Sequence, residues 1–262
     1  MTIPTKLADR QDEVWKRLQT VTDPELDESV TELKFVTNVD VDAQNRVHIG
    51  FRLPTYWCAA NFSFLMADDM RRATLDLPWV EGVVVVLGEH MYADKINAGL
   101  AHGLSFQETF GAEADGDLEE LRQIFLVKAF QRRQVALLNK LLEAGHDAGE
   151  LVELTCAGLA ALELSEAEAG LRTRYFERRD VVGKAPPTAR AFVDSAGAAL
   201  SAAGLPAYLK ALRRVGVNAE FNSALCRGLL SVRFDLDTPF VPSHKQAGDP
   251  KCADQPVSTT SK

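Results

Sequence analysis

The sequence predicts an α+β fold: a small three-stranded sheet with two helices, in the order helix-strand-strand-helix-strand, followed by an all-α C-terminal domain. Three observations carry this. Apolar residues alternate with period two across Leu33, Phe35, Val39 and Val41, and again across Val47, Ile49, Phe51 and Leu53. On either side of that pair they recur at helical spacing. From Leu118 onward the composition shifts to Ala, Leu, Glu and Arg with little β-branching.

The first helix rests on Leu7, Gln11, Val14, Trp15, Leu18 and Val21, and it stops near Thr20 because Pro24 disfavours helical geometry in Asp23. The two alternating runs form a hairpin around the turn-forming Asp42-Ala43-Gln44-Asn45. After Pro54, Phe62, Leu65, Met66, Met70, Ala73 and Leu77 line one side of a second helix, which Pro78 closes. Gly82 then introduces Val83 to Leu87, a β-branched run dense enough for a buried strand.

Residues 1–95 are thus expected to form the α+β domain and 96–117 a packed, glycine-broken connector. Residues 118–242 are expected to form a helical domain and 243–262 a disordered tail with almost nothing to bury. In the helical part, stripes appear at Leu121, Ile124 and Phe125 and at Val135, Leu138 and Leu142. Gly145, Ser165, the 183–187 stretch, Gly204 and Gly216 divide it into five or six helices, the last around Asn218 to Arg233.

Of the 262 residues 46% are hydrophobic, enough for one large or two modest cores. The formal charge of -8 opposes nonspecific attraction to phosphate backbones, so nucleic acid is not an expected partner. The N-terminal stretch has no signal-peptide core and no run could span a bilayer, which predicts a cytoplasmic protein without a membrane partner. Cys58, Cys156, Cys226 and Cys252 form no Cys-x-x-Cys pair. No P-loop, Gly-x-Ser-x-Gly elbow or His-Glu-x-x-His helix is present, so the chain reads as a non-enzyme.

Two elements could carry chemistry. Cys58 falls directly after a strand and within the first turn of the next helix, where unpaired amides and the helix dipole favour a thiolate. A small buried hydrophobe is the other reading of the same position. Asp23-Pro24-Glu25 places a capping aspartate before a proline, a rigid one-turn element whose role could be structural alone. His90, beyond the third strand, is either a surface histidine or a partner with Glu89 in a soft metal site completed by Cys58.

Taken together, Trp15-x-x-Leu18-x-x-Val21-Thr22-Asp23-Pro24-Glu25-Leu26, Ser29-Val30-x-Glu32-Leu33, Val47-x-Ile49-x-Phe51-x-Leu53, Cys58 and Gly82-Val83-Val84-Val85 resemble the iron–sulfur assembly-factor family typified by SufT and PaaD. The resemblance covers about residues 7–90. It implies a cytosolic factor for assembling iron–sulfur clusters or metal centres, with Cys58 as the functional, metal-binding thiol and Asp23, Pro24 and Glu25 folded near it. The family pattern places proline where this chain has Tyr56 and Ala59, and Tyr56-Trp57 could cover the thiol or offer a flat contact to a partner. Iron or a transient cluster is the implied cargo. One cysteine cannot complete a cluster's ligands, so such a cluster would be shared across a homodimer or with a client metalloenzyme or the assembly machinery. The company of PaaD-like members implies a bacterial multicomponent iron-dependent oxygenase as client.

Two other functions fit the same sequence: a scaffold or chaperone for a multisubunit enzyme without thiol chemistry, and a metal-responsive DNA-binding regulator. Lys128, Arg132, Arg133 and Lys140, with Arg172, Arg174, Arg178 and Arg179, read as solvated helix faces or as a docking surface for an acidic protein. Leu151 to Arg179 can be drawn as two helices meeting at Leu164-Ser165, as in a helix-turn-helix.

Overall fold

The structure, a computed structural model, describes residues 7–114 and 116–234. Its N-terminal part follows the predicted order: α1 (Leu7–Leu18), β1 (Val36–Val41), β2 (Arg46–Phe51), α2 (Ala60–Leu75) and β3 (Gly82–Leu87). The sheet order is β1-β2-β3, with β1 antiparallel and β3 parallel to the central β2. Asp42 builds the hairpin turn by accepting the Gln44 and Arg46 amides on Oδ1, and Asn45 takes the left-handed backbone that the turn requires, with φ 59°.

The alternation in the first run is broken once. Val36 pairs with Phe51 but Asn38 with Gly50, so a bulge at Thr37 resets the parity and puts Val36 and Val39 into the core. Gly50 lies opposite this bulge, where an added Cβ would collide with the Asn38 side chain. At the sheet's edge Asn97 returns both hydrogen bonds to Leu87, closing the end of β3.

Beyond β3 come α3 (Ala93–Ala101) and α4 (Phe106–Phe110), the latter opened by a Ser105-Glu108 capping box. Ile96, Leu100, Phe106 and Phe110 are buried in the same core as α1, α2 and the sheet. The helical part contains α5 (Leu118–Glu143), α6 (Ala148–Glu153), α7 (Cys156–Ala161), α8 (Glu166–Arg179) and α9 (Leu205–Phe234). It has a core of its own around Phe130, Leu137, Leu141, Tyr175 and Phe192. Gln134 sits inside that core because its amide is fully used, taking the Tyr175 hydroxyl and giving hydrogens to the Val193 carbonyl and the Tyr208 hydroxyl.

Several expectations need correction. Gly216 does not end a helix, because α9 runs through it for 30 residues. Leu151 to Arg179 is three helices rather than two, since Leu154 turns extended and Thr155 caps α7 before Ser165 caps α8. Ile124 faces solvent; the buried side of α5 includes Arg133 and Gln134, which no apolar stripe reveals. The predicted tail at 243–262 and Cys252 lie outside the described residues.

The arginines are the largest departure. Most of them are engaged within the chain itself, Arg133 and Arg178 by its own carboxylates and the others by its carbonyls. Arg133 is buried and grips Asp27 with two bonds, Nε to Oδ2 at 2.6 Å and Nη2 to Oδ1 at 2.9 Å. Arg178 reaches the same carboxylate at 3.3 Å, Arg174 the Asp27 carbonyl, and Arg132 the Glu25 carbonyl at 2.7 Å. Arg172 and Arg179 donate to carbonyls within the helical part. Lys128 and Lys140 keep the solvated role, and Arg174 stays exposed beside its carbonyl bond.

Candidate thiol site

Asp23 organises the first loop of the site. Its Oδ1 accepts the amide hydrogens of Glu25 at 2.9 Å and Leu26 at 2.8 Å, and its carbonyl accepts that of Asp27. Pro24 fits the turn because it has no amide hydrogen to satisfy and its φ is fixed. The Thr22–Ser29 bridge closes the loop, and Asp27 leaves it at φ 54° to meet Arg133.

Burial to 9% exposure, with Glu25 and Glu28 adding negative charge, outweighs these amide bonds and raises the Asp23 carboxyl from its ordinary 3.8 to about 6. The folded chain therefore holds a proton that the unfolded chain has released between those two values. Stability linked to Asp23 is full below pH 3.8 and is lost as pH rises towards 6. The cost at neutral pH is on the order of 3 kcal/mol. Asparagine caps as well as aspartate and carries no charge. Asp23→Asn is thus expected to stabilise the protein at pH 7 by about 1–3 kcal/mol and to flatten this limb of its pH–stability profile. Urea unfolding at several pH values measures it, and unchanged midpoints at pH 7 would show that the carboxylate is not held at a cost.

Cys58 lies in the loop 52–59 that joins β2 to α2. It is not within the first turn of the helix, because α2 begins at Ala60 with Ala59 as its N-cap. Ala59 has φ -59° and ψ 131°, a backbone proline would also adopt, so the departure from the family pattern leaves the chain path intact here. The Cys58 thiol is half-buried and lies 3.3 Å from the Thr55 hydroxyl. Tyr56 and Trp57 pack edge to face and point outward, at 44% and 71% exposure. Met91, 41% exposed, is tied to them by its amide bond to the Tyr56 carbonyl.

His90 is not a surface histidine. At 4% exposure it underlies the loop, and its bonds fix its tautomer. The Tyr92 amide can only donate, so Nδ1 accepts it; the Cys58 carbonyl can only accept, so Nε2 carries the hydrogen and donates at 2.8 Å. Burial, with Arg233 nearby, pulls its pKa down against the Cys58 bond and keeps the ring neutral. With both nitrogens engaged, His90 holds the backbone of Cys58 rather than joining its thiol in a metal site. Glu89 instead meets Arg233 at 3.2 Å. Among the described residues no group of three or more His, Cys, Asp or Glu side chains is placed to hold a metal ion.

The C-terminal half of α9 lies across both loops, which no sequence signal predicts. Asn222 donates to Glu25 at 2.9 Å, Ser223 to Glu28 at 2.5 Å, and Arg227 pairs with Glu28. Leu230 is buried in the first core, Arg233 donates to the Leu53 and Glu89 carbonyls, and the Phe234 ring stacks beneath the Arg52 guanidinium. Cys226 sits among these contacts. Burial, together with the negative charge of Asp23, pushes its pKa up to about 12. Asp23 and Cys58 share no hydrogen bond; α9 lies over the loops of both.

The fold and the loops define a class of protein: a small α+β domain with one thiol in the loop between strand and helix and a capped Asp-Pro-Glu turn after its first helix. Residues 11–85 match the family described as "Iron-sulfur cluster assembly protein", and this N-terminal stretch is a domain of that family. The match includes Asp23, Pro24, Glu25 and Cys58, and excludes His90, Cys226 and the whole helical part. Among solved structures the chain is similar to the crystal structure of a domain of unknown function, DUF59, from Bacillus anthracis. That likeness is at 18% identity, over 38% of this chain and 96% of that one, with a TM-score of 0.29. No curated protein matches the chain.

Proposed function

We propose that this chain is an accessory factor in iron–sulfur cluster or metal-centre assembly, which matures a client metalloenzyme and has no catalytic activity of its own. The single observation behind this reading is the Cys58 loop: its backbone is pinned from below by His90, while Tyr56 and Trp57 stand exposed beside the thiol. A buried structural cysteine needs neither. Cargo and client would meet at one place, with the thiol as the point of contact for iron or a transient cluster and the aromatic pair as a flat apolar anchor. The outer face of α9 offers a second apolar contact through Phe221, Leu225, Leu229 and Val232.

The cytoplasm is the compartment this reading requires, because the thiols must stay reduced. Among the described residues no helix is long and apolar enough to cross a membrane. A bacterial multicomponent iron-dependent oxygenase is the client the SufT/PaaD resemblance points to. Deleting the gene is expected to leave one metalloenzyme present but depleted of iron, at least about tenfold less active, and returning the gene should restore it. Measured iron per enzyme decides this; full iron in every metalloenzyme of the deletion strain would overturn the proposal.

A further inference from the structure

We infer that Cys226 is the second thiol of this site, so that Cys58 and Cys226 together bind one thiophilic metal ion. The family domain supplies only one cysteine; the other comes from α9, outside the matched residues. The inference rests on the assembly reading above for its purpose, but not for its geometry.

Residues three or four apart share a helix face, so Asn222, Ser223, Cys226, Arg227, Leu230 and Arg233 project to one side of α9. The anchors on that face locate the thiol between them. Towards the helix N-terminus, Asn222 and Ser223 bond Glu25 and Glu28 of the Asp23 loop. Towards its C-terminus, Leu230 enters the first core and Arg233 donates to the carbonyl of Leu53, within the loop bearing Cys58, and to that of Glu89. Cys58 and Cys226 pack against the same core, on the loop and the helix that these anchors bring together. Both are half-buried and neither is in a disulfide.

Two sulfurs select a soft, thiophilic ion over magnesium or calcium, which want oxygen. They also leave coordination positions open, because no third His, Cys, Asp or Glu among the described residues completes the set. An ion held by two protein ligands can be passed to a client that offers more. Binding displaces both thiol protons, which leave to solvent.

The test is a titration of the reduced full-length protein with cadmium, in a Cys252→Ser background that removes the thiol beyond the described residues. One ion per chain is expected, with thiolate-to-cadmium charge-transfer absorption. Either Cys58→Ser or Cys226→Ser should halve that absorption and weaken binding at least about tenfold, with melting temperature unchanged. Wild-type binding by the Cys226→Ser protein would overturn the inference. So would a Cys58–Cys226 disulfide whose reduction yields no metal binding, since the pair would then be a redox couple. Client loading separates this idea from the broader one. Full loading by Cys226→Ser beside lost loading by Cys58→Ser refutes the second thiol and leaves the assembly function standing.

Discussion

Arg133→Ala is expected to cost about 3–5 kcal/mol of folding stability, because it leaves Asp27 buried without its bidentate partner. Asp27 and Arg133 are 5% and 7% exposed, and Arg133 also donates to the Arg174 carbonyl at 2.6 Å and Glu177 at 2.5 Å. Burial works against the guanidinium's charge, and the Asp27 and Glu177 carboxylates outweigh it. Such a loss is a large fraction of the roughly 5–15 kcal/mol that holds a domain together. It also falls at a joint, since Arg133 belongs to α5 and Asp27 ends the Asp-Pro-Glu turn.

Asp27→Ala should cost a similar amount for the converse reason. The double variant should cost less than the sum of the two, by about 0.5–3 kcal/mol, because the second change removes an already unpaired charge. Urea midpoints of the four proteins measure this coupling. A loss under about 1 kcal/mol in Arg133→Ala, the range of solvated pairs, would mean that the arginine is not gripped as described.

The same pair shows where sequence reading stops. Period-two and period-3.6 patterns found α1, the hairpin and α2 because each buries one face; β3 was found by its β-branched run, although Val84 and Val86 of that run face solvent rather than being buried. Asp23 and Cys58 stood out because capping and strand-helix junctions have local signatures. Nothing local distinguishes Asp27 from Glu25 or Glu28. The arginines read as surface because burial by a partner over a hundred residues away leaves no periodic trace. His90 escaped for a related reason: its acceptor is a backbone carbonyl, which any residue supplies. Cys226 sits in a long helix that is apolar on two sides, and only the fold shows which side meets the site. The bulge at Thr37 was hidden as well, since one inserted residue looks like a gap in the alternation.

The functional claim rests most heavily on Cys58. Serine at this position keeps the volume and can still face the Thr55 hydroxyl, and His90 would still hold the backbone carbonyl, because that bond does not involve the side chain. Folding should therefore be unaffected, within about 0.5 kcal/mol. Hydroxyl oxygen, by contrast, does not replace a thiolate towards iron or any soft ion. Client loading should fall to the level of the deletion strain. The deciding measurement is iron per client enzyme, purified from a deletion strain that expresses Cys58→Ser at wild-type abundance. The account predicts iron-depleted client beside a melting curve that overlays the wild type; fully loaded client from that strain would contradict it.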